Sequence, residues 1–182
     1  MKYTLPIIII ILIIGGLYTA LSNINSTSNL HKNKRLACQN ETITFEKINK
    51  QHPIKSGIEL LESGNYTINT TIDYSKYMKS KLINILSEQQ ATERLNSIIK
   101  KNVVSNLSKD KKLQIKFYIY ENDKEDKRKK GDKCKLYAGY VMLEFRLDNR
   151  LLYKIQTDYM QNDISDMSER IQCAITSFTS LK

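Results

Sequence analysis

The chain has 182 residues, with 29 Lys and Arg against 19 Asp and Glu, six Gly, two Pro, three Cys, two His and no Trp. Its formal net charge is +10. So few glycines leave little material for a Gly-rich phosphate loop, and the absence of any Cys-x-x-Cys pair argues against structural zinc. Asn, Ile and Lys dominate, which suits a low-GC bacterial genome.

Leu5 to Leu21 runs without a charged side chain, behind two positive charges, the amino terminus and Lys2. Ionised groups are costly in hydrocarbon, so such a run is expected to enter a membrane. A span needs about 20 residues, whereas a signal-peptide core needs roughly 7–15. Leu5–Ile14 fits the core, with Ala20-Leu21-Ser22 as a small-x-small cleavage site; the whole run fits a short retained anchor. Residues 1–22 are therefore expected to be a hydrophobic helix, either anchor or signal peptide, with membrane contact through residues 5–22. Residues 23–37 are polar and without apolar period, hence a linker. Residues 38–182 are long enough for one domain with a real core.

Within that domain Thr42–Ile48 and Tyr66–Ile72 alternate as short strands, and Gln51–Gly57, with Pro53, reads as a loop. From Ser75, a plausible N-cap, Met78, Leu82, Ile85 and Leu86 share one helical face, as do Leu95, Ile98, Ile99 and Val103. No Gly or Pro intervenes, so one long central helix is expected. Leu113–Ile119, Val141–Leu147 and Leu151–Tyr159 alternate with odd-numbered positions facing the core, as half-buried antiparallel strands do. Asp148-Asn149-Arg150 makes a tight hairpin, and the charged stretch Glu121–Lys135 a long hairpin loop. Asp163 is the expected N-cap of a closing helix whose buried stripe is Ile164, Met167, Ile171, Ala174, Ile175 and Phe178. The expected fold is α+β: an antiparallel sheet with the central and C-terminal helices on one face, after the N-terminal hydrophobic helix.

Cys38, Cys134 and Cys173 are the disulfide candidates. At 100° per residue Cys173 lies about 160° from buried Ile171, pointing away from the sheet, where a segment laid over the helix could reach it. Cys38–Cys173 is the first choice of pairing, Cys38–Cys134 the second, and no disulfide the third. Exposed thiols fit best as a pair in an oxidising compartment. His31, Lys32, Lys34 and Arg35 would by themselves favour an inward-facing domain. The cysteines tip the expectation outward, to a single-pass protein of the bacterial periplasm or cell surface, or a secreted one if the leader is cleaved.

No Ser lies in a Gly-x-Ser-x-Gly turn, and Cys38 with His52 is the sole Cys–His combination that invites a nucleophile. Asp158, Asp163, Asp166 and Glu169 read as strand end, helix cap and first turn rather than a cation site. No catalytic, metal or cofactor set is expected. Two surfaces could hold a partner. One is the loop with Lys127, Arg128, Lys129 and Lys130. The other is the outward sheet face with Tyr118, Tyr120, Tyr140, Met142 and Leu152 among Lys116, Arg146 and Lys154. The expected function is a non-enzymatic binding or accessory domain of a cell-envelope assembly, with a protein partner. A binder of nucleic acid or an acidic envelope polymer is the alternative, and an enzyme with a dispersed site a third.

Overall fold

The computed structural model describes residues 34–105, 108–129, 131 and 136–182. The expected leader (1–22), most of the linker, Lys130 and Cys134 lie outside them. Among the described residues no helix is long and apolar enough to cross a membrane. Every element of the fold belongs to the compact unit Leu36–Lys182.

A 3-10 turn, Ala37–Asn40, leads into β1 (Thr44–Ile48), α1 (Ile54–Glu62), β2 (Tyr66–Asp73), α2 (Glu88–Lys100), β3 (Leu113–Glu121), β4 (Gly139–Leu147), β5 (Arg150–Tyr159) and α3 (Met167–Thr179). The fold is mixed α+β. One five-stranded sheet runs in the order β1-β5-β4-β3-β2. Three of its pairings are antiparallel, but β2 and β3 run parallel, with Tyr66 beside Leu113 and Asp73 beside Tyr120. The expected all-antiparallel sheet is corrected here. A parallel neighbour needs a crossover of a dozen or more residues, and the segment carrying α2 supplies it.

Alternation is kept through β3 and β4, whose odd-numbered residues from Leu113 to Leu147 are all buried. The hairpin after β4 turns on Asp148 and Asn149, at φ 49° and 62°. Both types tolerate the left-handed region that a two-residue turn of matching twist requires. Parity then breaks. A bulge sets Phe145 opposite Tyr153 and Arg146 opposite Leu151, so Leu152 is the extra residue. It is fully buried beneath α1, where any Cβ at Gly57 would collide with its Cδ1. The expected loop at Gln51–Gly57 and the outward Leu152 are thus corrected together. Pro53 precedes a helix, a position where its missing N–H costs nothing, and Gly57 lets that helix approach the bulge.

The expected helix from Ser75 is also corrected. Residues 74–87 are irregular because their N–H groups go elsewhere. The Glu121 carboxylate accepts from Ser75 N (3.0 Å), Lys81 N (2.7 Å), Leu82 N (3.1 Å) and Ser80 Oγ (2.6 Å). Asp123 accepts from Lys76 N (2.7 Å), Tyr77 N (2.6 Å) and Met78 N (3.1 Å). Leu82 and Leu86 still reach the core, whereas Ile85 is exposed. The helix begins only at Ser87, whose Oγ accepts from Gln90 N while Gln90 Oε1 accepts from Ser87 N, a reciprocal capping box.

The three helices form one layer on one face. Thr92 and Asn96 of α2 bond to Thr70 and Tyr66 of β2, α1 lies on Leu113 and Leu152, and Phe178 of α3 stacks on Phe145 at 4.0 Å. The α3 N-cap is Asp166 rather than Asp163, and its carboxylate takes the N–H groups of Met160 and Gln161. That closure holds Ile164 buried at φ 58°, a strained place for a β-branched residue. Along the side of α3 run Arg170, Cys173 and Ser177, all buried by the 3-10 turn. Cys38 is disulfide-bonded to Cys173, Gln39 Nε2 donates to Ser177 Oγ and Glu46 Oε2 at 3.0 Å, and Arg170 pairs with Glu41 at 2.8 Å.

Glu121→Gln keeps the shape but not the charge that accepts these bonds, and should cost about 1–3 kcal/mol in urea unfolding. The Glu121 and Asp123 carboxyls are held below their usual range; burial opposes this, and the donated N–H and O–H bonds override it. A depressed carboxyl stabilises above its unfolded pKa, so wild-type stability should fall as pH drops below about 4, less steeply in Glu121→Gln. Replacing Cys38 and Cys173 with Ser opens a link across 135 positions and should cost about 2–5 kcal/mol. An unchanged unfolding midpoint in either variant would contradict its assignment.

Candidate functional site

The face opposite the helix layer carries the even-numbered side chains of β3 and β4, half-buried from Tyr118 and Tyr120 to Tyr140 and Met142. Strand register arranges it in rows. The first row is Asp73, Tyr120, Tyr140 and Asp158. The second is Thr71, Tyr118, Met142, Gln156 and Phe45, and the third is Asn69, Lys116, Glu144, Lys154 and Lys47.

Tyrosines hold the first two rows together. Tyr120 and Tyr140 stack with centroids 4.9 Å apart, and Tyr118 and Tyr140 meet tilted at 6.0 Å. Burial, then the bond from its hydroxyl to Asp73 Oδ2 (3.0 Å), pushes the Tyr118 phenol well up. Burial raises the Tyr140 phenol too, so these two rings stay neutral hydrogen-bonding surfaces with little conformational freedom to lose on contact. In the third row Glu144 is shared between Arg146 (3.1 Å) and Lys154 (3.2 Å). Phe45, 59% exposed, borders a shallow depression of about 380 Å³ that Lys47, Glu144, Lys154 and Gln156 also line.

The structure thus brings Tyr118, Tyr120, Tyr140, Arg146 and Lys154 onto one surface, as the alternation implies; Leu152 alone leaves it. The charged loop divides. Lys127 and Arg128 are exposed, and Arg128 grips Asp126 with two nitrogens, over the Tyr77 ring at 5.8 Å. That guanidinium holds the Asp126 carboxyl down at about 2. Lys129 instead turns back to Tyr120 Oη (2.8 Å), Asn122 Oδ1 and the Asp123 carbonyl. Residues 121–129 fold back at the rim of the tyrosine rows.

Alternation puts Asp158 on the outward face but does not announce its burial. It lies on the open face opposite Tyr140, yet is 5% exposed, and burial alone lifts its carboxyl to about 6. The roles of Glu121 and Asp123 were equally hidden, although Glu121 continues the odd-numbered buried series of β3. Cys38 is consumed by the disulfide, so it offers no thiolate to His52. Among the described residues no three His, Cys, Asp or Glu side chains converge as a metal set. A second depression of about 520 Å³ lies beside the disulfide, lined by Glu41, Lys101, Glu169 and Gln172, with no nucleophile and base in contact.

The raised Asp158 carboxyl sets a second pH window. Its stability contribution is full below the unfolded pKa and is lost as pH rises through about 6. Asp158→Asn should therefore exceed wild type by about 1–2 kcal/mol at pH 7, allowing for solvent screening, and match it near pH 4. Equal stabilities at both pH values would contradict that environment. Comparison with protein-family models, curated proteins and solved structures finds no match to this chain.

Proposed function

We propose that this chain is a non-enzymatic binding domain, delivered to a membrane by its apolar N-terminal helix and working as an accessory part of a cell-envelope assembly. The observation that carries the reading is the sheet face turned away from the helices, where Tyr118, Tyr120, Tyr140, Met142 and Phe45 lie side by side in two adjoining rows. Tyrosine-rich apolar surface rimmed by charge is the composition of protein interfaces. The Cys38–Cys173 disulfide supports placing the domain on the outer side of the membrane, since such bonds persist in oxidising compartments.

A second reading, adhesion to nucleic acid or an acidic envelope polymer, draws on Lys47, Lys116 and Lys154 in one row, with Arg146 alongside. Salt separates the two, because polymer binding releases counterions and weakens steeply with ionic strength. Flat retention on an anionic matrix from low to physiological salt would remove the second reading.

The first is tested on the full chain in intact membranes, cross-linked with an amine-reactive reagent before extraction. Wild type should run in a species larger than one chain. Tyr118→Ala with Tyr140→Ala should return it to single-chain size while the melting midpoint moves by less than about 5 °C. A wild-type chain that never exceeds single-chain size would contradict the proposal.

A further inference from the structure

The open face is electrically uneven along the strands. Carboxylates, Asp73 and Asp158, close the first row, with the Lys129 ammonium on Tyr120 between them; the second row has no charge; the third carries Lys116, Lys154 and Lys47 against Glu144 alone. Asp73 has the Tyr118 hydroxyl and Lys76 (3.7 Å) beside it. Asp158 has neither a described donor nor a described cation at its carboxylate, and burial is the only influence on it. A half-desolvated carboxylate at the rim of a surface gains when a cation is brought to it.

We propose that a second copy of this chain covers the face, related to the first by a two-fold axis lying along the uncharged second row. The inference rests on the reading of this face as a binding surface. Such an axis turns the strands end for end and keeps each strand over its counterpart, so the first row lies over the third. Asp158 then faces Lys154 of the second copy, and the Tyr140 hydroxyl faces its Glu144. Met142 and Phe45 pack against themselves, as an isologous contact requires. An axis running along the strands would instead set lysines over lysines. An acidic polymer would have to cross Asp73 and Asp158, and a basic peptide would have to cross the lysines. A second copy turned this way sets the Asp158 end of the first row over Lys154 and the uncharged row over itself.

Five strands about 4.8 Å apart and three rows about 6.7 Å apart make a face on the order of 500 Å². Doubled over two copies, that lies near the roughly 1,000 Å² at which a specific interface begins. The contact is therefore of modest strength, suited to copies concentrated on one membrane. Packing two twisted sheets face to face is a standard solution for apolar sheet surfaces.

The test uses the full chain in its membrane, in a Cys134→Ser background, with Met142→Cys placed on the proposed axis. Oxidation should yield a disulfide-linked pair. Lys154→Asp should lower that yield about tenfold or more, and adding Asp158→Lys should restore it. Met142→Cys that gives no pair but stays protected from a membrane-impermeant maleimide means that another molecule covers the face, which overturns the second copy and leaves the binding reading intact. Met142→Cys that reacts freely and gives no pair overturns both. A pair whose yield ignores Lys154→Asp overturns the proposed axis.

Discussion

Two carboxylates at the end of β3 decide the path of the chain. Glu121 and Asp123 gather the N–H groups of residues 75–78, 81 and 82, which a helix would otherwise bond internally. Charge-assisted bonds of this kind are about twice as strong as neutral ones, and several converge on each acid. They hold the crossover close to the tip of β3. From there the chain enters α2 at Ser87 and returns so that β2 and β3 run parallel. The same strand end sets Tyr120 beside Asp73 and gives Lys129 its anchor, so the rim of the open face is built by the residues that pin the crossover.

A second tie works at the other edge of the sheet. The disulfide, the Gln39–Ser177 bond and the Arg170–Glu41 pair bind the start of the domain to its last helix. Glu46 joins this edge to the core by accepting from the Tyr153 hydroxyl at 2.6 Å. Tyr153 in turn lies among Phe145 and Phe178 in the aromatic centre. The helix layer is thus locked at both edges of the sheet. The open face has no such cover, and it keeps its tyrosines packed on one another instead.

Legibility in the sequence followed the range of the interaction. Alternation in β3 and β4 depends on neighbours two residues apart, so the inward and outward sets could be read directly, and with them most of the tyrosine surface. Cys173 could be placed from helix angles alone, which made Cys38 the first of three alternatives for its partner, and the structure has that pair. Leu152 could not, because a bulge is a register event between two strands. The segment 75–87 has good helical spacing, and its true partners lie 39 to 47 positions away. Two local signals were there to use: Ser87-x-x-Gln90 marks a helix start, and Pro53 belongs before a helix as readily as in a loop.

A binding role for this domain requires that the tyrosine face be covered when the protein is in its membrane. Hydroxyl-radical footprinting of the full chain, in membranes and after dilute extraction, measures this without any substitution. Tyr118, Tyr140, Met142 and Phe45 should be protected in the membrane and become reactive on extraction, while exposed Tyr77 and Met160 react equally in both. Equal labelling of Tyr140 and Met142 in the two states would show a bare face and contradict that role.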